Sequence, residues 1–206
     1  MIMKKRISLA LLILIAGVVN GQSNNPAPNG FANFNEFSHN TPSMTLNFSV
    51  KQRTQGNVFM TGGITNYRLE NIQPKSDKEK LEKEVWGVMV HDTVYINSYP
   101  YSKVKGYNQI IDKGYYTYFI GEPARTEKEQ RDLGIIKPTE SQIAVCCQAG
   151  YVISPDGTIK LLRPELLSEL CKDNEEISKE IAAAKLKLED VHQMFACLKK
   201  YNATKK

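Results

Sequence analysis

Three histidines and four cysteines are the residues of this 206-residue chain best equipped for chemistry, and their spacing argues against most of it. His39, His91 and His192 lie far apart in sequence. His192 precedes Cys197 by five residues, a rotation of about 140° on a helix, so the two share no face for a metal ion. Neither Cys-x-x-Cys nor His-Glu-x-x-His occurs, the spacings from which zinc sites are built. Gly62-Gly63 lacks the glycine pattern and the Gly-Lys-Ser/Thr ending of a phosphate loop. No Gly-x-Ser-x-Gly marks a hydrolase nucleophile. The sequence therefore predicts no catalytic residue, no metal site and no cofactor, and favours a non-enzymatic protein. A Cys146 or Cys147 thiolate paired with a distant histidine is the thiol-based alternative.

Tyrosine is the other candidate chemistry. Tyr95, Tyr99, Tyr101, Tyr107, Tyr115, Tyr116 and Tyr118 place seven of the ten tyrosines within 24 residues. A phenol ring offers a flat apolar face plus a hydroxyl, which suits a sugar or peptide surface. Strands also favour tyrosine for packing alone. Tyr99-Pro100-Tyr101 carries two rings on a loop, where packing explains less. These two rings are the candidate binding site, for a glycan or a protein ligand.

The beginning of the chain supplies an address. Lys4-Lys5-Arg6 precedes an uncharged run from Ser8 to Val19, which closes on Asn20, Gly21 and Gln22. A basic patch, a short apolar core and a small residue at the exit read as a secretory signal peptide over residues 1–21. The run is shorter than the ~20 residues a membrane span needs. Cleavage there leaves 185 of the 206 residues, enough for one domain with a real core. Three basic and no acidic residues leave with the signal, so the mature charge falls from +5 to +2. Without a basic stripe, nucleic acid is not an expected partner. No second long apolar run predicts a membrane span after signal removal. The expected location is the periplasm, the cell surface or the medium.

Export changes the reading of the cysteines. An even number in an exported chain invites disulfides, so Cys146, Cys147, Cys171 and Cys197 are all candidates. Neighbours in a strand face opposite ways, so at most one of Cys146 and Cys147 reaches the C-terminal helices. If 175–200 is one unbroken helix, Cys197 stands ~35 Å from its start. Cys171 sits near that start, and bridging needs Cα atoms within ~7 Å. A Cys171–Cys197 bond would require the helix to fold back, and no Gly or Pro is present to turn it. One bridge at most is expected.

The elements that must position these residues fall into blocks. Residues 22–29 form a flexible leader. Phe31, Phe34 and Phe37, three residues apart, suit one helical turn over 30–43 laid on the body as an aromatic clip. From 44 to 162 the signals are those of strands: Leu46-Phe48-Val50, Val58–Met60, Val85–Val90, Thr93–Asn97, Tyr115–Ile120, Ile143–Ser154 and Thr158–Leu162. His91-Asp92 separates two of them as a hairpin turn. Pro155-Asp156-Gly157 separates two others. Ser76-x-x-Glu79 and Thr126-x-x-Glu129 fit the capping box of two short charged helices, the second stopped by Gly134.

Beyond Pro164 the pattern becomes helical. Leu167, Leu170, Asn174, Ile177, Ile181, Ala184, Leu188, Val191, Phe195 and Leu198 recur at three- and four-residue steps. Asp173 or Asn174 as a cap splits this stripe into helices 164–172 and 175–200. Ala182, Ala183 and Leu186 broaden the apolar face, as expected of helices lying on their own domain.

Taken together, Gly30-Phe31 with Phe34, Glu36, Phe37, Asn40 and Pro42, then Trp86-Gly87, Tyr95-Ile96-Asn97, Gly114–Phe119 and Leu198-Lys199-Lys200-Tyr201-Asn202 resemble a family of uncharacterised exported proteins of Gram-negative gut and oral anaerobes. The resemblance implies export and carries no catalytic residues. In such bacteria Asp92-Thr93-Val94 would resemble an O-glycosylation acceptor.

The fold class expected is α+β: a twisted antiparallel meander, open or partly closed into a barrel, covered by the C-terminal helices of 163–206. The function expected is that of an exported, non-enzymatic envelope protein acting as an interaction or binding module. A peripheral hydrolase acting on a polymer is one alternative. A packing subunit joined to an assembly through its long C-terminal helix is the other.

Overall fold

The computed structural model describes residues 27, 29–54, 67–123, 126–132, 136–141 and 149–205. Its strands are β1 (Gly30–Phe31), β2 (Asn47–Gln52), β3 (Tyr67–Gln73), β4 (Gly87–Val90), β5 (Thr93–Asn97), β6 (Tyr107–Asp112), β7 (Thr117–Gly121), β8 (Ala149–Ile153) and β9 (Ile159–Leu161). Its helices are α1 (Phe34–Ser38), α2 (Asp77–Lys83), α3 (Tyr99–Ser102), α4 (Glu127–Asp132), α5 (Pro164–Leu170), α6 (Glu175–Ala184) and α7 (Val191–Thr204). The strands form one antiparallel sheet in the order β1-β4-β5-β6-β7-β8-β9, curled into a half-barrel, so the chain is α+β. β5 takes one edge of β6 along Tyr107–Gln109, while β7 pairs with it at Ile110 and Asp112. A strand has two edges, so Tyr67 of β3, opposite Tyr107, extends the β7 edge and brings β2 with it.

Period-two alternation decides which side of the sheet each residue serves. Tyr118 and Val152 face a cluster that includes Leu162, Leu167, Ile177, Ile181, Phe195 and Leu198. Phe119, Tyr151 and Ile153, one step along, face the inside of the curl with Ile96, Tyr101 and Leu161. The large apolar residues of the helical stripe are therefore spent on the body, as expected, whereas Ala182, Ala183 and Ala184 face outward and do not broaden the buried face. Gly150 makes this approach possible, because a Cβ there would lie 3.1 Å from both Val191 and Phe195 of α7.

The long helix is the main correction. Asn174 caps α6 by accepting the Ile177 N–H at 3.0 Å, as its position predicts. The helix then stops at Lys185, which adopts φ 48° and ψ 45° without being glycine. Asp190 accepts the Lys187 N–H at 2.8 Å and α7 begins at Val191. A left-handed lysine costs about 1–2 kcal/mol. A straight helix over 175–200 would run ~39 Å, whereas a five-residue strand covers only ~17 Å. Half of its apolar stripe would overhang the sheet. The reversal puts Ile177, Ile181, Val191, Met194, Phe195 and Leu198 into one buried cluster, and that burial outweighs the strained residue.

Turn chemistry follows the sequence in most places. Val90 pairs with Thr93 across His91-Asp92, with His91 at φ 53°. Gly157 takes φ 84°, and its neighbour Thr158 donates its N–H to Asp156 at 3.0 Å. Thr126 and Glu129 form the capping box, with Glu129 N–H donating to Thr126 Oγ1 at 3.2 Å and Thr126 N–H to Glu129 Oε2 at 3.1 Å. Ser76 makes no side-chain cap bond, because its backbone is already helical at φ -58° and ψ -27°, and the Glu79 carboxylate accepts from Lys83 at 2.8 Å. Val58–Met60, Gly134 and 142–148 lie outside the described residues.

Of the three clip phenylalanines, Phe31 belongs to β1, and only Phe34 and Phe37 ride on α1, which Asn33 caps. Tyr115 and Tyr116 precede β7 in a bend instead of opening the strand. There the Asn202 amide of α7 accepts the Tyr116 N–H and donates to the Tyr116 carbonyl, both at 2.8 Å. Strands β3 and β6 have no counterpart in the sequence-based expectation. No helix among the described residues is long and apolar enough to cross a membrane.

Candidate functional site: an aromatic cleft beside helix α5

Asn97 sets up the site from one end of β5. Its side-chain amide donates to the carbonyls of Leu81 (3.3 Å), Glu82 (3.2 Å) and Val85 (2.8 Å), which closes the C-terminus of α2. Its oxygen accepts the Tyr99 N–H at 3.0 Å and starts the single turn of α3. Pro100 sits in the first positions of that turn and Lys103 ends it at φ 57°. The consequence is the direction of Tyr101. Its ring enters the curl of the sheet and meets Phe119 at 5.2 Å and Tyr151 at 4.9 Å, centroid to centroid.

The phenols are tied down. The Asn108 amide donates to Tyr101 Oη at 2.7 Å and to Ser98 Oγ at 2.8 Å. Tyr151 Oη donates to the Glu122 carbonyl at 2.8 Å. Burial pushes both phenols well above the ordinary tyrosine range, with a smaller push from the Glu122 carboxylate. They are fixed, neutral rings with no capacity to act as bases at neutral pH.

Above them lies a cleft of about 930 Å³. Trp86, Tyr101, Tyr151 and Leu161 form its apolar side, and the Gly157–Ile159 turn its end. One wall is α5 with Glu165, Leu166 and Glu169. Lys137, Glu140, Lys160 and Arg163 stand around the rim. Arg163 Nη1 donates to Glu140 Oε2 at 2.9 Å, and the Lys137 N–H reaches the same oxygen at 2.9 Å. The backbone bond from Lys137, then that from Arg163, holds the Glu140 carboxyl below its usual range. Trp86 is oriented by the N-terminal clip: Phe37 stacks on it at 4.7 Å and 28°, and Phe34 lies at 6.0 Å.

The sequence-derived site residues separate. Tyr101 is 6 % exposed and borders the cleft, its ring packed in the core on Phe119 and Tyr151. Tyr99 is half-buried, outside the cleft lining, with Lys103 Nζ 5.5 Å from its ring centroid. The exposed platform of two rings is not formed, because one helical turn points them apart. His39, His91 and His192 are exposed and away from the cleft. Cys171 and Cys197 are free thiols, both buried behind the sheet. Cys146 and Cys147 lie outside the described residues, as does the thiol alternative built on them. Among the described residues no group of three or more histidine, cysteine or carboxylate side chains is placed to hold a metal ion.

Trp86, Glu140 and Arg163 were not singled out from sequence as ligand-facing. Trp86 reads as an ordinary strand residue, and the other two sit in loops whose approach depends on the curl. As the chain's single tryptophan, Trp86 carried the one usable signal.

Apart from Trp86, which lines the cleft, the motif residues that can be traced here serve the structure. Asn97 closes α2, Asn202 closes the bend before β7, and Gly30, Gly87 and Gly114 sit where a neighbour crowds the missing Cβ. In line with this, residues 29–205 match the model of a family of unknown function, DUF6563. No curated protein and no solved structure matches the chain.

Proposed function

The chain belongs to that family of unknown function, DUF6563, and from the cleft we propose that it is an exported, non-enzymatic module that binds a glycan segment. The observation that carries this reading is the pairing of the half-buried Trp86 ring with a rim of balanced charge. Three cationic side chains (Lys137, Lys160, Arg163) face three carboxylates (Glu140, Glu165, Glu169) around the cleft. Such a rim exerts little net field, so it favours a polar, uncharged ligand over a strongly ionic one. A flat indole ring beside hydrogen-bonding groups suits the apolar faces and hydroxyls of sugars. Binding is favoured over hydrolysis because the phenols are held neutral and Glu140 is held ionised by its partners. A carboxyl depressed in this way is a weak base and a poor proton donor near neutrality.

Export rests on residues 1–21, and the periplasm or the cell surface is the proposed location. The packing-subunit alternative loses its support, since Ile177, Ile181, Val191, Phe195 and Leu198 point into the body.

Trp86 reports directly on occupancy. Titrating the protein with neutral oligosaccharides should shift its fluorescence emission, and the Trp86→Phe variant, followed by calorimetry, should bind at least tenfold more weakly. No emission change across a broad glycan panel, or unchanged affinity in Trp86→Phe, sinks the proposal. Expressed in a Gram-negative host, the mature protein should begin at Gln22.

A further inference from the structure

The geometry points to a disulfide between Cys171 and Cys197 that clasps the end of α5 to the middle of α7. A straight helix over 175–200 would have kept these residues far apart. The reversal at Lys185 removes that obstacle and lays α7 back against α5. Cys171, the C-terminal cap of α5, is 0 % exposed; Cys197, on α7, is 4 % exposed, and both belong to one buried cluster.

The segments carrying them are pinned together nearby. One helical turn beyond Cys197, Tyr201 Oη donates to Asp173 Oδ1 at 2.7 Å. One turn further, Lys205 Nζ donates to Asp173 Oδ2 at 2.6 Å. Asp173 is two residues from Cys171. The Cys171 carbonyl is itself fixed, accepting from Asn174 N–H and Ser178 Oγ, each at 3.0 Å. Burial, and then the proximity of Cys197, pushes the Cys171 thiol up to about 12.

Both sulfurs are thiols in this structure. Oxidation removes two protons and two electrons. One cysteine thiolate attacks the disulfide of an exchange partner, giving a mixed disulfide and releasing one thiolate. The second cysteine attacks the mixed disulfide, forming the Cys171–Cys197 bond and releasing the other. The oxidant is thus a low-molecular-weight or protein disulfide, which ends as two thiols. Because buried thiols disfavour the thiolate, exchange precedes the closing of α7 over α5, and the closed helices then shield the bond.

Formation in the cell depends on the export reading, which supplies oxidising surroundings. The test does not. The full chain is refolded in a buffer of reduced and oxidised glutathione, denatured, alkylated without reductant, digested and mapped by mass. The expected result is one cross-linked peptide pair containing Cys171 and Cys197, unmodified by the alkylating reagent and lost in Cys197→Ser. Full alkylation of both cysteines without reductant overturns the proposal, and so does a link from either to Cys146 or Cys147. A cytoplasmic location would refute export and leave this map unchanged.

Discussion

The β2–β3 pair and the β7–β8 pair are antiparallel ladders with five paired positions each, and they live in different surroundings. Along β2 and β3 every residue is exposed or half-buried, and Glu70 draws in Lys51 at 3.6 Å and Arg68. β7–β8 is covered on both faces. Phe119 stacks on Tyr151 at 5.3 Å and 7° inside the curl, while Tyr118 stacks on Phe195 of α7 at 4.5 Å and 27° outside it. Equal backbone pairing thus accompanies very unequal burial. Stability in this molecule belongs to what covers the ladder, not to the ladder itself.

The most forceful way to break that comparison is to damage the cover. Leu198 is fully buried under the sheet, so Leu198→Ala should cost about 2–5 kcal/mol in urea denaturation. A loss below about 1 kcal/mol would mean that the helices contribute little.

The bend before β7 offers a sharper test. Asn202→Ala strands the Tyr116 N–H and carbonyl, at a cost of about 1–3 kcal/mol. Gly114→Ala should also destabilise the protein, because the new Cβ collides with the Asn202 amide. In the Asn202→Ala background the same glycine change should be much milder. Equal costs in both backgrounds would show that the two residues do not interact.

Alkaline titration separates the two regions by charge. Burial pushes Tyr116 and Tyr118, both beneath the helices, up to about 12. Their folded pKa lies above the unfolded value of ~10. Their stabilising contribution is whole below that value and is lost as pH climbs toward 12. Stability measured by denaturant should therefore decline from about pH 10 upward, and Tyr118→Phe should flatten the decline. A profile unchanged by that substitution would contradict the burial of the ring.

The smallest effect belongs to the open ladder. Glu70→Gln removes two exposed ion pairs and should shift stability by less than about 0.5 kcal/mol. A change of several times that size would mean that the β2–β3 arm is anchored more firmly than its exposure implies.

The legibility of the sequence follows the same divide. The β4–β5 hairpin, the Pro155–Gly157 turn, the Thr126 capping box and the covering helices announce themselves through local rules that the fold obeys. β3 does not, because Tyr-Arg-Leu-Glu-Asn-Ile-Gln is interrupted at Asn71, which turns to φ 55° and breaks the alternation. β6 was hidden because it buries Tyr107 and Asn108, while Ile111 ends 51 % exposed. The Lys185 reversal follows no local rule, since what favours it is the short width of the sheet beneath. The cleft was half-visible. Tyr101 could be suspected from its loop, but Trp86, Glu140 and Arg163 meet only after the sheet curls.

Asn202 holds a bend whose other half was synthesised 86 residues earlier. The centre of the body thus stays unlatched until the ribosome has passed Asn202. Closing so wide a loop is a late and slow event in folding. A chain stopped before Asn202 would leave the Tyr116 backbone without its latch.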